Sequence, residues 1–387
     1  MPRFSYKYGL IGEQLSLKKN IEFNVNSDGI IQNLYYEQCN KKLILSDHEN
    51  NFLLIPGLIN SHVHIGDSFA KEAGFNRDLD SVVAPPGGIK HKLLEATSNQ
   101  LKEQGIQNAI EDMISRGITC FVDFREREMD GIEVLKTAKR DFQIKTVILG
   151  RFQKTEQIQS VFREADGIGL VSYRHISQKD KKELRKYHTE LKKIIAVHCA
   201  EKERRKKLIN ELFADDLVDV IVHGTQFQGK DLERIKKKNK SLVLCPRSNS
   251  YFQMGFPPII EIQKRKVQIS LGTDNIMAVS PDLFEEMRYL YLISRALTKG
   301  TDIKSLTAKD LLKMVTINAA ENFKLNKKQG YIENGKKGNF FLVNLNDPNY
   351  FVYQLNKKNI YSIIVQRTTA ENIKKVYIHG ELVFERG

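Results

Sequence analysis

From Pro56 to Asp274, short apolar and β-branched runs alternate with longer charged segments whose apolar residues recur at helical spacing. Eight runs stand out: Leu58–His64, Gly117–Arg125, Lys145–Arg151, Gly167–Tyr173, Lys193–Cys199, Asp219–Gly224, Ser241–Arg247 and Val267–Asp274. Runs of this length and composition, closed by turn residues, read as buried strands. Between them, segments such as Leu101–Ile114 carry the three-and-four spacing of an amphipathic helix. Strands alternating with helices pair in parallel. Eight such units predict an α/β fold, a (β/α)8 TIM barrel. The stretch Thr307–Phe323 reads as helical and belongs with that barrel.

The chain ends have a different texture. Residues 1–55 contain short strand-like pieces such as Ile21–Val25 and Ile30–Tyr35, and residues 328–387 contain Asn339–Val343 and Lys375–Phe384. Neither piece buries a stable sheet alone, so the two termini are expected to pair into one small β-sandwich. Three regions result: 1–55 and 328–387 for the sandwich, and 56–327 for the barrel. No internal repeat or low-complexity linker stands out.

In a (β/α)8 barrel the C-terminal strand ends share one rim, where active sites lie. The first run ends in His62-Val63-His64, and residues at i and i+2 of a strand point the same way. Two imidazoles displayed so can converge on one metal ion, and neutral imidazole suits Zn, Fe, Ni or Cu. His198, His223 and Asp274 stand at or near the ends of the fifth, sixth and eighth runs. Each alone has a structural reading; the barrel is what gathers them into one pocket.

Composition narrows the picture. With 41% hydrophobic residues the chain has ample material for a core. No stretch approaches the roughly 18 apolar residues of a membrane span, and Met1–Lys7 lacks the apolar core of a secretory signal. A cytoplasmic protein with no membrane partner is expected. The four cysteines, Cys39, Cys120, Cys199 and Cys245, form no C-x-x-C pair, so buried free thiols are expected rather than disulfides or a zinc finger. The net charge of +14 comes largely from lysine runs at 179–193, 201–207 and 233–240, interrupted by glutamates at helical spacing. These read as solvated helix faces, not as a dedicated nucleic-acid site, and the H-x-E…P-C-x-x-C signature of base deaminases is absent.

The motifs in order resemble those of the amidohydrolase superfamily along nearly the whole chain. Pro56-Gly57-Leu58-Ile59-Asn60-Ser61-His62-Val63-His64 is similar to its opening metal motif. Gly330–Asn339 resembles its re-entry into the C-terminal strands, and Lys375–Gly387 its final hairpin. Within the superfamily the chain is most similar to the mononuclear deaminase branch, which includes cytosine and guanine deaminases, deaminases of S-adenosylhomocysteine and methylthioadenosine, and related chlorohydrolases. His198-Cys199-Ala200-Glu201 matches the His-x-x-Glu motif, and Cys245-Pro246-Arg247-Ser248-Asn249 resembles the Cys-Pro-x-Ser-Asn loop. Leu271–Asp274, followed by Asp282–Arg288, resembles the eighth strand and next helix. The chain departs from the nucleoside deaminases in having no Trp and in the segment Ala84-Pro85-Pro86-Gly87-Gly88. No substrate is carried over.

The resemblance implies that His62, His64, His198 and Asp274 bind one divalent metal, Zn or Fe. Three imidazoles and a carboxylate suit such an ion and leave room for a water, whose pKa falls toward roughly 7. That hydroxide attacks a ring carbon bearing an amino group. Asp274 accepts the water's proton, Glu201 acts as general acid, and His223 stabilises the tetrahedral intermediate. The expected activity is deamination of an amino-substituted heterocycle, with purine and pyrimidine derivatives as candidates. Dechlorination, cyclic-amide hydrolysis and a catalytically inactive scaffold are the alternatives. A two-metal site would need a carboxylated lysine at the end of the fourth run, and Gly167–His175 has none. Self-association is left open.

Four arginines fall at or just after strand ends: Arg125, Arg151, Arg174 and Arg247. Guanidinium forks suit carboxylate and phosphate. At least two of them, with Lys90 or His91 from the loop after the first strand, are expected to bind an anionic group on the small-molecule substrate. Asn249 is expected to contact that substrate as well. The alternative for the arginines is pairing with acids such as Asp123 and Glu126.

Overall fold

The computed structural model describes residues 1–39, 43–45 and 51–386. Its sixteen strands, in chain order, are β1 (Arg3–Ile11), β2 (Ser16–Val25), β3 (Ile31–Gln38), β4 (Phe52–Pro56), β5 (Leu58–His64), β6 (Ile118–Arg125), β7 (Lys145–Gly150), β8 (Gly167–Leu170), β9 (Ile194–Cys199), β10 (Val220–His223), β11 (Ser241–Leu244), β12 (Ile269–Leu271), β13 (Asp274–Asn275), β14 (Phe340–Asn344), β15 (Ile373–Ile378) and β16 (Glu381–Glu385). They form two sheets.

The first is parallel, in the order β12-β11-β10-β9-β8-β7-β6-β5-β13. All eight sequence runs are present. The eighth is split: Ile269–Leu271 pairs with β11, while Asp274–Asn275, two residues further on, pairs with β5. One stretch of chain therefore touches both ends of the sheet, which curls in the barrel-like manner expected. Helices follow the strands, among them Asn99–Ser115 after β5, Glu128–Ala138 after β6 and Gln178–Leu191 after β8. The stretch Thr307–Phe323 is helical as expected, in two helices, Ala308–Met314 and Ile317–Asn322. Inside the curl, Val122, Phe124, Val147, Leu149, Ile194, Ala196, Val220, Val222 and Val243 pack together. Their alternation neighbours, such as Phe121, Ile148, Ile195, Ile221 and Leu242, belong to the larger core that includes residues of the surrounding helices.

The second sheet, β16-β15-β14-β4-β1-β2-β3, joins the two termini as expected. It is one hydrogen-bonded sheet rather than two separate layers. Phe4 on β1 and Tyr377 on β15 lie three strand steps apart, about 14 Å in a flat sheet, yet their ring centroids are 5.4 Å apart. The sheet thus folds over its own apolar cluster, with Phe23 and Phe340, in a sandwich-like way. Only Gly57 separates β4 of this sheet from β5 of the other.

All four cysteines are buried, and Cys120, Cys199 and Cys245 are free thiols. Much of the lysine excess lies on exposed faces of Gln178–Leu191 and Gly229–Lys237. The run at 201–207 differs, because its helix begins only at Lys206. Among the described residues, no helix is long and apolar enough to cross a membrane.

Candidate active site

The strand ends bring His62, His64, His198, His223 and Asp274 together. His62, His64 and His198 offer ligand atoms within 4.8 Å of one another, as do His62, His223 and Asp274. Inward parity delivers three of the imidazoles: His62 and His64 alternate along β5, and His198 continues Ile194 and Ala196 on β9. For His223 parity predicts the opposite, since Val220 and Val222 are the inward residues of β10. A left-handed backbone, φ 73°, breaks the alternation and turns the ring inward, 5.3 Å from His198 centroid to centroid. Asp274 is likewise left-handed, φ 66°. Such conformations cost energy in non-glycine residues and gather at functional sites.

The donor spacing fits a metal ion. His62 Nε2 lies 3.2 Å from Asp274 Oδ1, His64 Nε2 lies 3.4 Å from the same oxygen, and His198 Nε2 lies 3.3 Å from His62 Nε2. A tetrahedral ion with ligands at about 2.0–2.1 Å needs its donors about 3.3–3.4 Å apart. The proton inventory agrees. His64 Nδ1 lies 3.0 Å from the Phe124 carbonyl and 2.7 Å from Glu126 Oε1, so Nδ1 carries the hydrogen. Its Nε2 lone pair then faces a carboxylate oxygen with no proton between them, an arrangement a cation relieves. Burial lowers the pKa of His62 and, to about 3, that of His64, where the Lys90 charge adds to the effect. Burial also pushes the Asp274 carboxyl up, but bonding to His62 and the nearby imidazoles outweigh it and hold it well below the carboxylate range.

Beside this cluster sits Glu201, with Oε2 3.5 Å from His223 Nε2. Burial is the main reason its carboxyl is pushed up to about 7, with the Asp274 charge adding and His223 opposing. Asn249 organises the pair: its Nδ2 donates to Glu201 Oε1 at 3.2 Å and to His223 Nδ1 at 3.1 Å, while its Oδ1 accepts from Thr225. Since Nδ1 of His223 accepts, Nε2 carries the proton and faces the site as a donor.

A cavity of about 700 Å³ opens over these groups. Of the expected substrate contacts, Lys90, His91, Arg151 and Arg174 line it. Arg151 extends the inward parity of Val147 and Leu149. Arg125 and Arg247 do not line the cavity, which corrects the expectation of four rim arginines. Arg125 has the parity of Phe121, an outward residue, and pairs with Glu126 at 2.8 Å and Asp123 at 3.6 Å. Arg247 pairs with Glu285 at 2.6 Å and donates to the Ser280 carbonyl. Asn249 is buried against Glu201 and His223 rather than in the cavity wall. Lys90 donates to Asn275 Oδ1 at 2.8 Å and is ion-paired with Glu126 Oε1 at 2.5 Å and Asp67 Oδ2 at 3.2 Å. Sequence reasoning missed Glu126, Asp67, Asn275 and Ser248 as parts of the site. Ser248 stood in the Cys-Pro-x-Ser-Asn motif and Glu126 among the acids near the arginines, each without a role at the site, and Asn275 had only its place beside Asp274 as a signal.

A model of the amidohydrolase family matches residues 53–383. The chain belongs to the amidohydrolase family. It is a hydrolase of the type that acts on carbon–nitrogen bonds other than peptide bonds. Among relatives of this amidohydrolase is an uncharacterized protein of Methanocaldococcus jannaschii, 32% identical, the match covering 92% of this chain and 93% of that one. A 5-methylthioadenosine/S-adenosylhomocysteine deaminase of Thermoanaerobacter pseudethanolicus is 25% identical over 85% of this chain and 81% of its own. The crystal structure of an adenosine deaminase from Xanthomonas campestris with bound zinc superposes with a TM-score of 0.77 at 17% identity, covering 98% of this chain and 92% of that one. The amidohydrolase fold is thus shared.

Proposed function

We propose that this amidohydrolase is a mononuclear, metal-dependent aminohydrolase that deaminates an amino-substituted heterocycle. The observation carrying the reading is the chain of donor pairs 3.2–3.4 Å apart that links His64, Asp274, His62 and His198 in turn, with the raised carboxyl of Glu201 beside it. Those four residues would hold one divalent ion, with zinc favoured by the zinc-bound structural neighbour. When bound, such an ion supplies a water activated at neutral pH.

The chain's own groups supply the rest. Asp274 is ionised and takes the proton released by that water. Glu201, with its carboxyl near 7, is protonated often enough at neutral pH to donate to a ring nitrogen and then to departing ammonia. His223 donates from Nε2 to the oxygen that gains charge at the attacked carbon. A second metal has no support: β8 ends at Leu170 without a lysine, and Lys179 pairs with Glu156 at the surface.

Two arginines in the cavity wall support an anionic group on the substrate. Arg151 is nearly buried, its Nε has no hydrogen-bond partner among the described residues, and its Nη2 lies 3.8 Å from Glu126. Arg174 lines the same cavity and is exposed. With His91 these groups face the space where a substrate tail would lie. Dechlorination or cyclic-amide hydrolysis at the same centre is the second reading, because the activated water does not dictate the leaving group. The test is ammonia release by zinc-loaded protein across nucleobases, nucleosides, nucleotides and pterins. Ammonia with matching oxo product is expected. Chloride or ring-opened product without ammonia would favour the second reading.

A further inference from the structure

Behind the metal-ligand cluster lies a second, fully buried layer of charge. Glu126, directly after β6, is 2% exposed and reaches inward and outward at once. Its Oε2 accepts from Arg125 Nη2 at 2.8 Å, and its Oε1 lies 2.7 Å from His64 Nδ1 and 2.5 Å from Lys90 Nζ. Lys90 is also 2% exposed and comes from a separate element, the helix Ile89–Ala96 in the loop after β5. Lys90 donates its hydrogen bond to Asn275, the neighbour of Asp274 on β13, and is ion-paired with Asp67 as well. Lys90 therefore ties three places to one point: the end of the second strand, the loop after the first, and the strand carrying the carboxylate ligand.

We infer that Glu126, pinned by Lys90, is a positioning residue that fixes the orientation of His64 toward the metal. The inference rests on the metal-centre reading above. An imidazole binds a metal well through one nitrogen when the other is held by an acceptor that sets ring angle and tautomer. Glu126 stands within 2.7 Å of the distal nitrogen of His64, whereas the distal Nδ1 of His62 has no hydrogen-bond partner among the described residues. The ring of His64 is thus held at its distal nitrogen by the Phe124 carbonyl at 3.0 Å and flanked there by a buried carboxylate, a support that His62 lacks. Arg125 holds that carboxylate from behind and Lys90 from the side, so the oxygen cannot swing away without stranding a buried cation.

The test measures zinc affinity by chelator competition, together with the melting temperature of the zinc-free protein. Wild type should bind zinc; failure to do so would refute the metal-centre reading itself. Glu126→Gln should weaken zinc binding by roughly 10- to 100-fold, the usual effect of losing such a partner. Lys90→Met should weaken it in the same direction. The double variant should be little worse than Glu126→Gln alone, because both changes act through one contact. Should Glu126→Gln fail to fold, Glu126→Asp keeps the charge but withdraws the oxygen, and the same loss of affinity is expected. A folded Glu126 variant with wild-type zinc affinity would overturn the inference. So would independent, multiplying effects of the Lys90 and Glu126 changes. A purely structural role would lower the zinc-free melting temperature and leave zinc affinity untouched.

Discussion

Ser248 Oγ donates to Asp274 Oδ2 at 2.6 Å, on the carboxylate oxygen opposite the one that faces His62 and His64. One oxygen is thereby occupied and the other aimed at the metal-ligand cluster. The next residue, Asn249, does the same for Glu201 and His223. The Cys-Pro-x-Ser-Asn segment is an orienting device for the acidic groups of the site.

Ser248→Ala should therefore leave the fold intact and free Asp274 to rotate. A drop of roughly 10- to 100-fold in turnover or metal affinity is expected. Steady-state kinetics with a parallel zinc titration would read it.

Glu201→Gln keeps size and leaves the four metal donors in place. Zinc content should persist while turnover falls by roughly 10²–10⁴-fold. Near-normal turnover in that variant would remove Glu201 from the mechanism.

The pH profile follows from the same carboxyl. Burial pushes Glu201 up to about 7, so its acid form is present below that pH and lost above it. A general acid works only while protonated, so kcat/KM should fall about tenfold per unit above about pH 7. The Glu201→Gln variant should lack that limb.

Much of this site was legible in the chain, and the rest was hidden for identifiable reasons. The ends of the apolar runs pointed to the convergence of His62, His64, His198 and Asp274, because strand ends of a barrel share a rim. The facing of Arg125 was not legible, since alternation gives two sets of side chains without saying which is inside. His223 shows the limit of alternation itself, because its left-handed backbone reverses the face that parity assigns. Lys90 lines the cavity, but its neighbours Glu126, Asp67 and Asn275 come from three separate stretches and were not legible. At the termini, pairing was legible but the single folded-over sheet was not.

Gly272 offers a test of the join where the eighth run meets the first. A Cβ there would stand 2.6 Å from the Cβ and backbone nitrogen of His62. Gly272→Ala should destabilise the protein by about 1–3 kcal/mol through overpacking, read by urea unfolding. It should weaken zinc binding as well, because the strain falls on a ligand.

The most direct measurement is elemental analysis of the zinc-replete protein beside His62→Ala, His198→Ala and Glu201→Gln. One equivalent per chain is expected in wild type and in Glu201→Gln, with metal lost from both histidine variants. Two equivalents in wild type, none at all, or unchanged zinc in the histidine variants would contradict a mononuclear centre built from these strand ends.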